Sequence, residues 1–261
     1  MLLLIIICTV ILGYHFRFLT VSGSIAAAVV GILTMLGLHM KGLILLGMFF
    51  ATSSLWSKYK RVQKNKVEER HAKGSRRDWQ QVFANGGGAA GASLLYFLFP
   101  HPVWIVSFCI FIASSNSDTW ASEIGTLSRR QPLSIRTLKV VPSGTSGAIS
   151  VLGSFAGLCG SMFIALLSFY LFELDIFTAC IILFFGFFGN IVDTVLGAFF
   201  QATYICNKCM LETEKLRHCG QKTKMIRGYS YLNNDVVNFL SSLISSIMGI
   251  GIYVAYISKW V

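Results

Sequence analysis

The sequence predicts an all-α fold, a polytopic helical membrane protein with about eight transmembrane helices. Hydrophobic residues fill 54% of the 261 positions and charged residues only 13%, and the mean hydropathy is +0.66, far from the soluble globular average. Apolar runs of spanning or near-spanning length recur along the chain. They are too long and continuous for the alternating strands of a membrane barrel, which leaves helices as the backbone's way of satisfying itself in lipid. No tandem repeat or long low-complexity linker divides residues 1–261, so one helical membrane domain is expected.

The apolar runs cover residues 2–12, 19–38, 42–56, 82–99, 103–116, 146–172, 176–200 and 236–257. The first is shorter than a full span and lacks the basic flank of a signal peptide, as a truncated amino terminus would explain. The turn after the fourth run is His101-Pro102, and the turn after the sixth is Glu173-Leu-Asp175. Gly153, Gly157 and Gly160 in the sixth run permit close helix approach. In the seventh, Gly186, Gly189, Asp193, Gly197 and Gln201 follow at steps of three and four, so Asp193 shares a packing face and must point into the bundle or a hydrated cleft. A packing seam explains the glycines, whereas the carboxylate needs a partner or a cation. The last run carries Asn234, Asn238, Ser242 and Ser245 along one face.

Charge orients these elements. Residues 57–81 hold nine Lys or Arg, residues 117–145 hold four and residues 201–235 hold six, together 19 of the 22 basic residues. Pairs of spans separate the three segments, so the positive-inside rule puts all three on the cytosolic side, as a basic loop, a motif loop and a Cys-containing loop. Lys58, Lys60, Arg61, Lys64 and Lys66 follow a span directly and are expected to meet anionic lipid head groups. The net charge of +11 comes with no nucleic-acid module, so topology explains it and nucleic acid is not an expected partner.

Three polar clusters carry the chemistry. Ser114 to Glu123 brings Asp118 and Glu123 within two helical turns, an oxygen-rich ligand set of the kind that holds Mg2+ against substrate phosphates; for either residue alone, helix capping is the plainer explanation. Pro142-Ser-Gly144-Thr145-Ser146-Gly147 precedes a long helix, where converging N–H groups and hydroxyls suit phosphate. It is no Walker motif, because no Lys-Ser/Thr pair follows the second glycine. Leu232 to Asn238 supplies Asn234, Asp235 and Asn238 as metal ligands and hydrogen-bond donors. Of the seven cysteines, Cys8, Cys109, Cys159 and Cys180 lie in apolar runs as inert packing residues. Cys206, Cys209, His218 and Cys219 have the ligand types of a zinc site at a non-standard spacing; reduced thiols in a cytosolic loop are the alternative.

Asn85-Gly-Gly-Gly, Ser117-Asp-Thr-Trp-Ala-Ser-Glu-Ile-Gly125, Gly144-Thr-Ser-Gly-Ala-Ile-Ser150, Gly189-x-x-x-Asp193-x-x-x-Gly197-Ala and Leu232-Asn-Asn-Asp-Val-Val-Asn238 resemble the membrane family of transmembrane protein 19 and the plant phytyl-phosphate kinase. The resemblance runs from about residue 20 to residue 250. It implies transfer of a phosphoryl group, from CTP, to an isoprenoid monophosphate; the expected location is an intracellular membrane such as the endoplasmic reticulum. Phosphoryl transfer asks chiefly for positioning and charge neutralisation, so Mg2+ is expected on Asp118, Glu123 and Asp193, with Asp235 beside them. Arg129, Arg136, Lys139, the Gly144 to Gly147 turn, Asn234 and Asn238 would hold phosphate oxygens, and the prenyl tail would lie between helices. A multi-pass transporter of a small polar or anionic solute is the alternative, with Asp193 on its glycine-lined face as the feature in its favour.

Overall fold

Each long apolar run becomes a helix, because a backbone in lipid must satisfy its own N–H and C=O groups. The computed structural model describes residues 2–258, apart from the side chains of Asn65, Lys66 and Glu68. Lys66, expected at a lipid surface, therefore lies outside the described side chains. The helices are α1 (Leu2–His15), α2 (Val21–Lys58), α3 (Arg61–Glu68), α4 (Trp79–Leu98), α5 (Pro102–Gly125), α6 (Val151–Phe172), α7 (Ile176–Phe199) and α8 (Asn234–Ile257). Four of them, α2, α6, α7 and α8, are long and apolar enough to cross a membrane by length and composition.

The α2 segment is a hairpin rather than a rod. A straight helix would set Thr20 and Ser54 about 50 Å apart. Instead the Thr20 N–H donates to Arg77 O at 3.0 Å, while Arg77 Nη1 donates to Ser54 Oγ at 3.2 Å. The reversal falls at His39, whose φ of 48° and ψ of −137° interrupt the helix. Its first arm packs with α4, where Ser93 Oγ donates to Thr34 O at 3.0 Å.

At the centre stands α5, in contact with α2, α4, α6, α7 and α8. His101 caps it, Pro102 fits its first turn, and every residue from Val106 to Ser117 is buried. A helix buried all round belongs in the core of a bundle. Lipid tails are as apolar as leucine, so the bundle is held by close packing rather than by exclusion of water. Small residues provide it: a Cβ at Gly189 would overlap Ser114 Oγ, one at Gly186 would overlap Ser161 Oγ, and one at Gly157 would stand 2.7 Å from Asn190 Nδ2. Hydroxyls then bridge the seams, as where Ser117 Oγ donates to Gly157 O at 2.8 Å and Ser245 Oγ donates to Phe185 O.

The all-α expectation needs correction outside the bundle. Strands β1 (Leu133–Ser134) and β2 (Ala148–Ile149) pair antiparallel between α5 and α6. Between α7 and α8, β3 (Thr203–Ile205), β4 (Glu212–Thr213) and β7 (Lys224–Arg227) form a sheet of order β4-β3-β7, beside a hairpin of β5 (Arg217–His218) and β6 (Gln221–Lys222). These stretches are too polar for the bundle and too broken by turns for helices, and β-branched and aromatic residues such as Thr203, Tyr204 and Ile205 favour an extended chain. The expected loop boundaries shift as well: residues 117–125 continue α5, residues 61–68 form α3, and residues 234–235 open α8.

Replacing Gly189 by leucine will force α7 away from α5 and lower the thermal midpoint of detergent-purified protein, with an overpacking cost of about 1–3 kcal/mol. Gly251→Ala, with nothing within 4 Å of the added Cβ, will leave it unchanged or slightly raised. Melting curves of the two variants beside wild type check both outcomes.

Candidate functional site

Six helix ends meet at one end of the bundle and enclose a polar cavity of about 370 Å3. The ends of α2 and α5, the last turns of α7 and the starts of α4, α6 and α8 contribute to its lining. The starts are set by their caps. Asp78 and Gln81 form a reciprocal capping box on α4, Ser150 Oγ accepts from Gly153 N at 3.0 Å on α6, and Asn233 Oδ1 accepts from Val236 N at 3.0 Å on α8. Three positive helix ends therefore open toward one volume.

Five carboxylates line that volume: Asp118, Glu123, Asp193, Glu214 and Asp235. Three of them have cationic partners. Glu123 accepts from buried Lys64 Nζ at 2.6 Å and from Ser57 Oγ at 2.5 Å. Lys73 Nζ joins Asp235 at 2.5 Å to Asp78 at 2.8 Å. Glu214 faces His71 at 3.6 Å and accepts from Gln201 Nε2 at 2.7 Å and from the Ala72 N–H at 3.2 Å. Burial alone would push the Glu214 carboxyl up, but those hydrogen bonds and the His71 charge hold it below its ordinary value.

Asp118 and Asp193 differ. Among the described residues neither has a cationic side chain at ion-pair distance, and the charge of Asp118 is felt at Asp193. Asp193 Oδ2 accepts from Ser241 Oγ at 3.3 Å and, with the Asn238 amide turned to donate, from its nitrogen at 2.9 Å. Asn190 and Thr194 stand on the same wall. Two carboxylates with neutral amides and hydroxyls about them form a hard-oxygen donor set that fits a divalent cation.

Another part of the lining is built from backbone. Gly144 and Gly147 adopt φ of 82° and 74°, a left-handed form that suits glycine, and a Cβ on Gly147 would collide with Ala198. Ser146 Oγ holds the turn against α7 by donating to Gly197 O at 3.0 Å and to Gln201 Oε1 at 2.9 Å. Thr145 Oγ1 donates back to Pro142 O at 2.8 Å. Among the described residues the N–H groups of Gly144, Ser146 and Gly147 donate to no acceptor in the chain, and the turn lines the cavity. Such free N–H groups form a nest for an anion.

The structure thus brings Asp118, Glu123, Asp193, Asn234, Asp235, Asn238 and the Gly144 to Gly147 turn to one volume. Arg129, Arg136 and Lys139 are exposed and outside its lining. Lys64, expected at lipid head groups, is instead buried against Glu123 and Trp56 O, because an inward carboxylate draws it from the surface. Cys206, Cys209, His218 and Cys219 converge outside the cavity, their ligand atoms within 4.8 Å of one another. Backbone N–H groups of Cys209 and Lys208 point at the Cys206 sulfur and hold that thiol down to about 6. Lys64, His71, Lys73, Arg77, Gln81 and Glu214 line the cavity without a site role in the sequence reading. The only signal for them was a basic stretch that topology already explained.

A second, apolar cavity of about 110 Å3 lies between α1, α2 and α4, lined by Ile6, Val30, Leu46, Phe49 and Phe50 among others. It shares Arg77, Gln81 and Asn85 with the polar cavity.

The integral membrane protein DUF92 family matches residues 4–246. The chain belongs to this family. Protein PGR of Arabidopsis thaliana is 30% identical over 90% of this chain and 89% of its own length. The uncharacterized membrane protein MJ0933 of Methanocaldococcus jannaschii is 30% identical over 91% and 87%. Protein VTE6, chloroplastic, of Arabidopsis thaliana is 27% identical over 93% and 68%. No solved structure matches the chain.

The paired charges give a double-mutant test. Lys64→Met strands Glu123 without its cation and will cost about 1–3 kcal/mol of stability, whereas Lys64→Met with Glu123→Gln will recover most of that loss. Thermal or denaturant unfolding of Lys64→Met, Glu123→Gln and the double variant measures the coupling; additive losses would mean that the pair is no pair in solution.

Proposed function

We propose that this protein is a membrane-embedded isoprenoid-phosphate kinase that moves a phosphoryl group from a nucleoside triphosphate, CTP by family resemblance, to a lipid monophosphate. The observation that carries the reading is the wall of Arg77, Gln81 and Asn85 common to the polar and the apolar cavity. An amphipathic substrate matches that join, with its tail between α1, α2 and α4 and its phosphate beside the Arg77 guanidinium. In this reading α1, the two arms of α2, and α4 to α8 make eight spans, of which the helices α2, α6, α7 and α8 are long and apolar enough to cross a membrane by length and composition. The cavity then opens on the cytosolic side of an intracellular membrane such as the endoplasmic reticulum, where the nucleotide is available.

Phosphoryl transfer asks a protein chiefly to position reactants and neutralise charge. A lipid-phosphate oxygen attacks the terminal phosphorus of the donor, the bond from that phosphorus to the bridging oxygen breaks, and the nucleoside diphosphate leaves with the electron pair. The attacking oxygen is already anionic, so no general base is required. The free N–H groups of Gly144, Ser146 and Gly147 and the starts of α6 and α8 receive donor phosphate oxygens. Asp118 and Asp193, with Asn190 and Asn238, are the residues that would hold Mg2+. When bound, Mg2+ supplies positive charge to the donor phosphates. Lys64 and Lys73 hold Glu123 and Asp235 in place and keep those carboxylates from repelling the donor. Arg129, Arg136 and Lys139 lie on the segment leading to the Gly144 turn, where exposed positive charge favours the approach of an anion.

Purified protein given terminally labelled CTP, Mg2+ and a panel of prenyl monophosphates will form labelled lipid diphosphate. Asp118→Asn will reduce turnover by about 100-fold or more with an unchanged melting midpoint. Arg77→Gln will raise the KM for lipid phosphate about tenfold, the loss of a charge-assisted hydrogen bond of roughly 1.5 kcal/mol, and leave nucleotide affinity nearly unchanged. Absence of magnesium-dependent nucleotide binding, together with solute movement in proteoliposomes that requires Asp193, would replace the kinase by a transporter.

A further inference from the structure

We infer that the segment between α7 and α8 is a zinc-stapled lobe, with Cys206, Cys209, His218 and Cys219 as a closed four-ligand site. The sulfur and nitrogen ligand atoms all lie within 4.8 Å of one another. His218 Nδ1 is 3.4 Å from Cys209 Sγ and 3.3 Å from Cys219 Sγ. Zinc bonds of about 2.3 Å to sulfur and 2.0–2.1 Å to nitrogen at tetrahedral angles place such atoms about 3.6 Å apart. The two imidazole–sulfur distances are close to such an edge, and the remaining separations, all under 4.8 Å, close onto a shared ion with small side-chain shifts.

Two turns present the ligands. In the first, Met210 N donates to Cys206 O at 2.8 Å and Cys206 N to Leu211 O at 3.0 Å, folding Cys206-Asn-Lys-Cys209 back on itself. In the second, the β5–β6 hairpin places His218 and Cys219 at its tip. Met210 and Cys219 take positive φ, 58° and 51°, which side chains rarely adopt unless their surroundings enforce it. A shared metal supplies that enforcement. One disulfide would join two of the three sulfurs and give the imidazole no reason to converge with them.

Buried Ala202, Thr203, Tyr204 and Thr213, with the bonds of Thr213 and Glu214 to Arg70 O, anchor the lobe to the bundle, but its outer part has little core of its own. Its strands are two to four residues long, and Met210, Leu216, Met225 and Ile226 are exposed rather than packed. Segments with so small a core usually need a staple, and a metal is one that free thiols and an imidazole can supply. Three thiolates and an imidazole favour zinc over magnesium or calcium, and four protein ligands leave no open position for chemistry. The role is structural and local: the lobe carries Glu214, whose contacts with Gln201, the Ala72 N–H and His71 fix one side of the polar cavity. This inference stands whether or not that cavity is a kinase site.

The test uses full-length protein in detergent, expressed with zinc in the medium. Elemental analysis will find one zinc per chain, cobalt-loaded wild type will show the absorption of tetrahedral cobalt thiolate, and Cys209→Ser or His218→Ala will weaken metal retention about tenfold or more. Chelation will make residues 203–232 sensitive to protease while the bundle helices stay intact. Wild type without zinc or the cobalt absorption, a mapped disulfide among the three cysteines, or zinc unchanged in both variants would each overturn the site. The cobalt spectrum needs no variant, so misfolded mutants do not blunt the test.

Discussion

Everything at the cavity depends on α5 being packed on every side from Val106 to Ser117. In lipid that packing cannot draw on exclusion of water, so it rests on close approach, and Gly157, Gly186 and Gly189 of the neighbouring helices leave no room for a side chain against it. The buried rod ends in Asp118. Because α6, α7 and α8 all key into α5, the position of Asp118 relative to Asp193, Asn190 and Asn238 is fixed by contacts deep in the bundle rather than by a flexible loop.

The charges around that point divide by whether the chain compensates them. Lys64 neutralises Glu123, Lys73 bridges Asp78 and Asp235, and His71 with Gln201 satisfies Glu214. These pairs link α3, the segment before α4 and the strand-bearing lobe to the bundle, so they close the cavity while removing repulsion from it. Asp118 and Asp193 remain without basic partners among the described residues. Two carboxylates without basic partners on the lining of one cavity favour a bound cation, and three helix starts with the free N–H groups of the Gly144 turn on the same lining favour an anion. A metal–phosphate complex satisfies both demands at once, which neither a free cation nor a free anion does.

Much of this was legible in the sequence because polar residues are costly in an apolar chain. Asp118, Asp193, Asp235, the Gly144 turn and the Asn-Asn-Asp segment stood out against hydrophobic runs, and the structure gathers them around one volume. The break between residues 38 and 42 was visible, but not that both arms of the hairpin return to Arg77. The basic segment reads as a topological signal and a lipid head-group contact, since a lysine that orients a span and a lysine that reaches inward look identical in one dimension. Lys64 finds Glu123 across 59 positions of sequence, and no local pattern encodes that distance. The small strands escaped because each is only two to four residues long, and the cysteine spacing matched no standard pattern although its four side chains meet in space.

The central claim is that the uncompensated pair, not the compensated carboxylates, holds the divalent cation with its nucleotide. Electron paramagnetic resonance of Mn2+ titrated into detergent-solubilised protein with CTP addresses it directly. The account predicts nucleotide-dependent Mn2+ binding in wild type, its loss in Asp118→Asn and in Asp193→Asn, and its retention when Glu123→Gln is combined with Lys64→Met. Binding that survives in both aspartate variants, or that disappears only when Glu123 is changed, would contradict it.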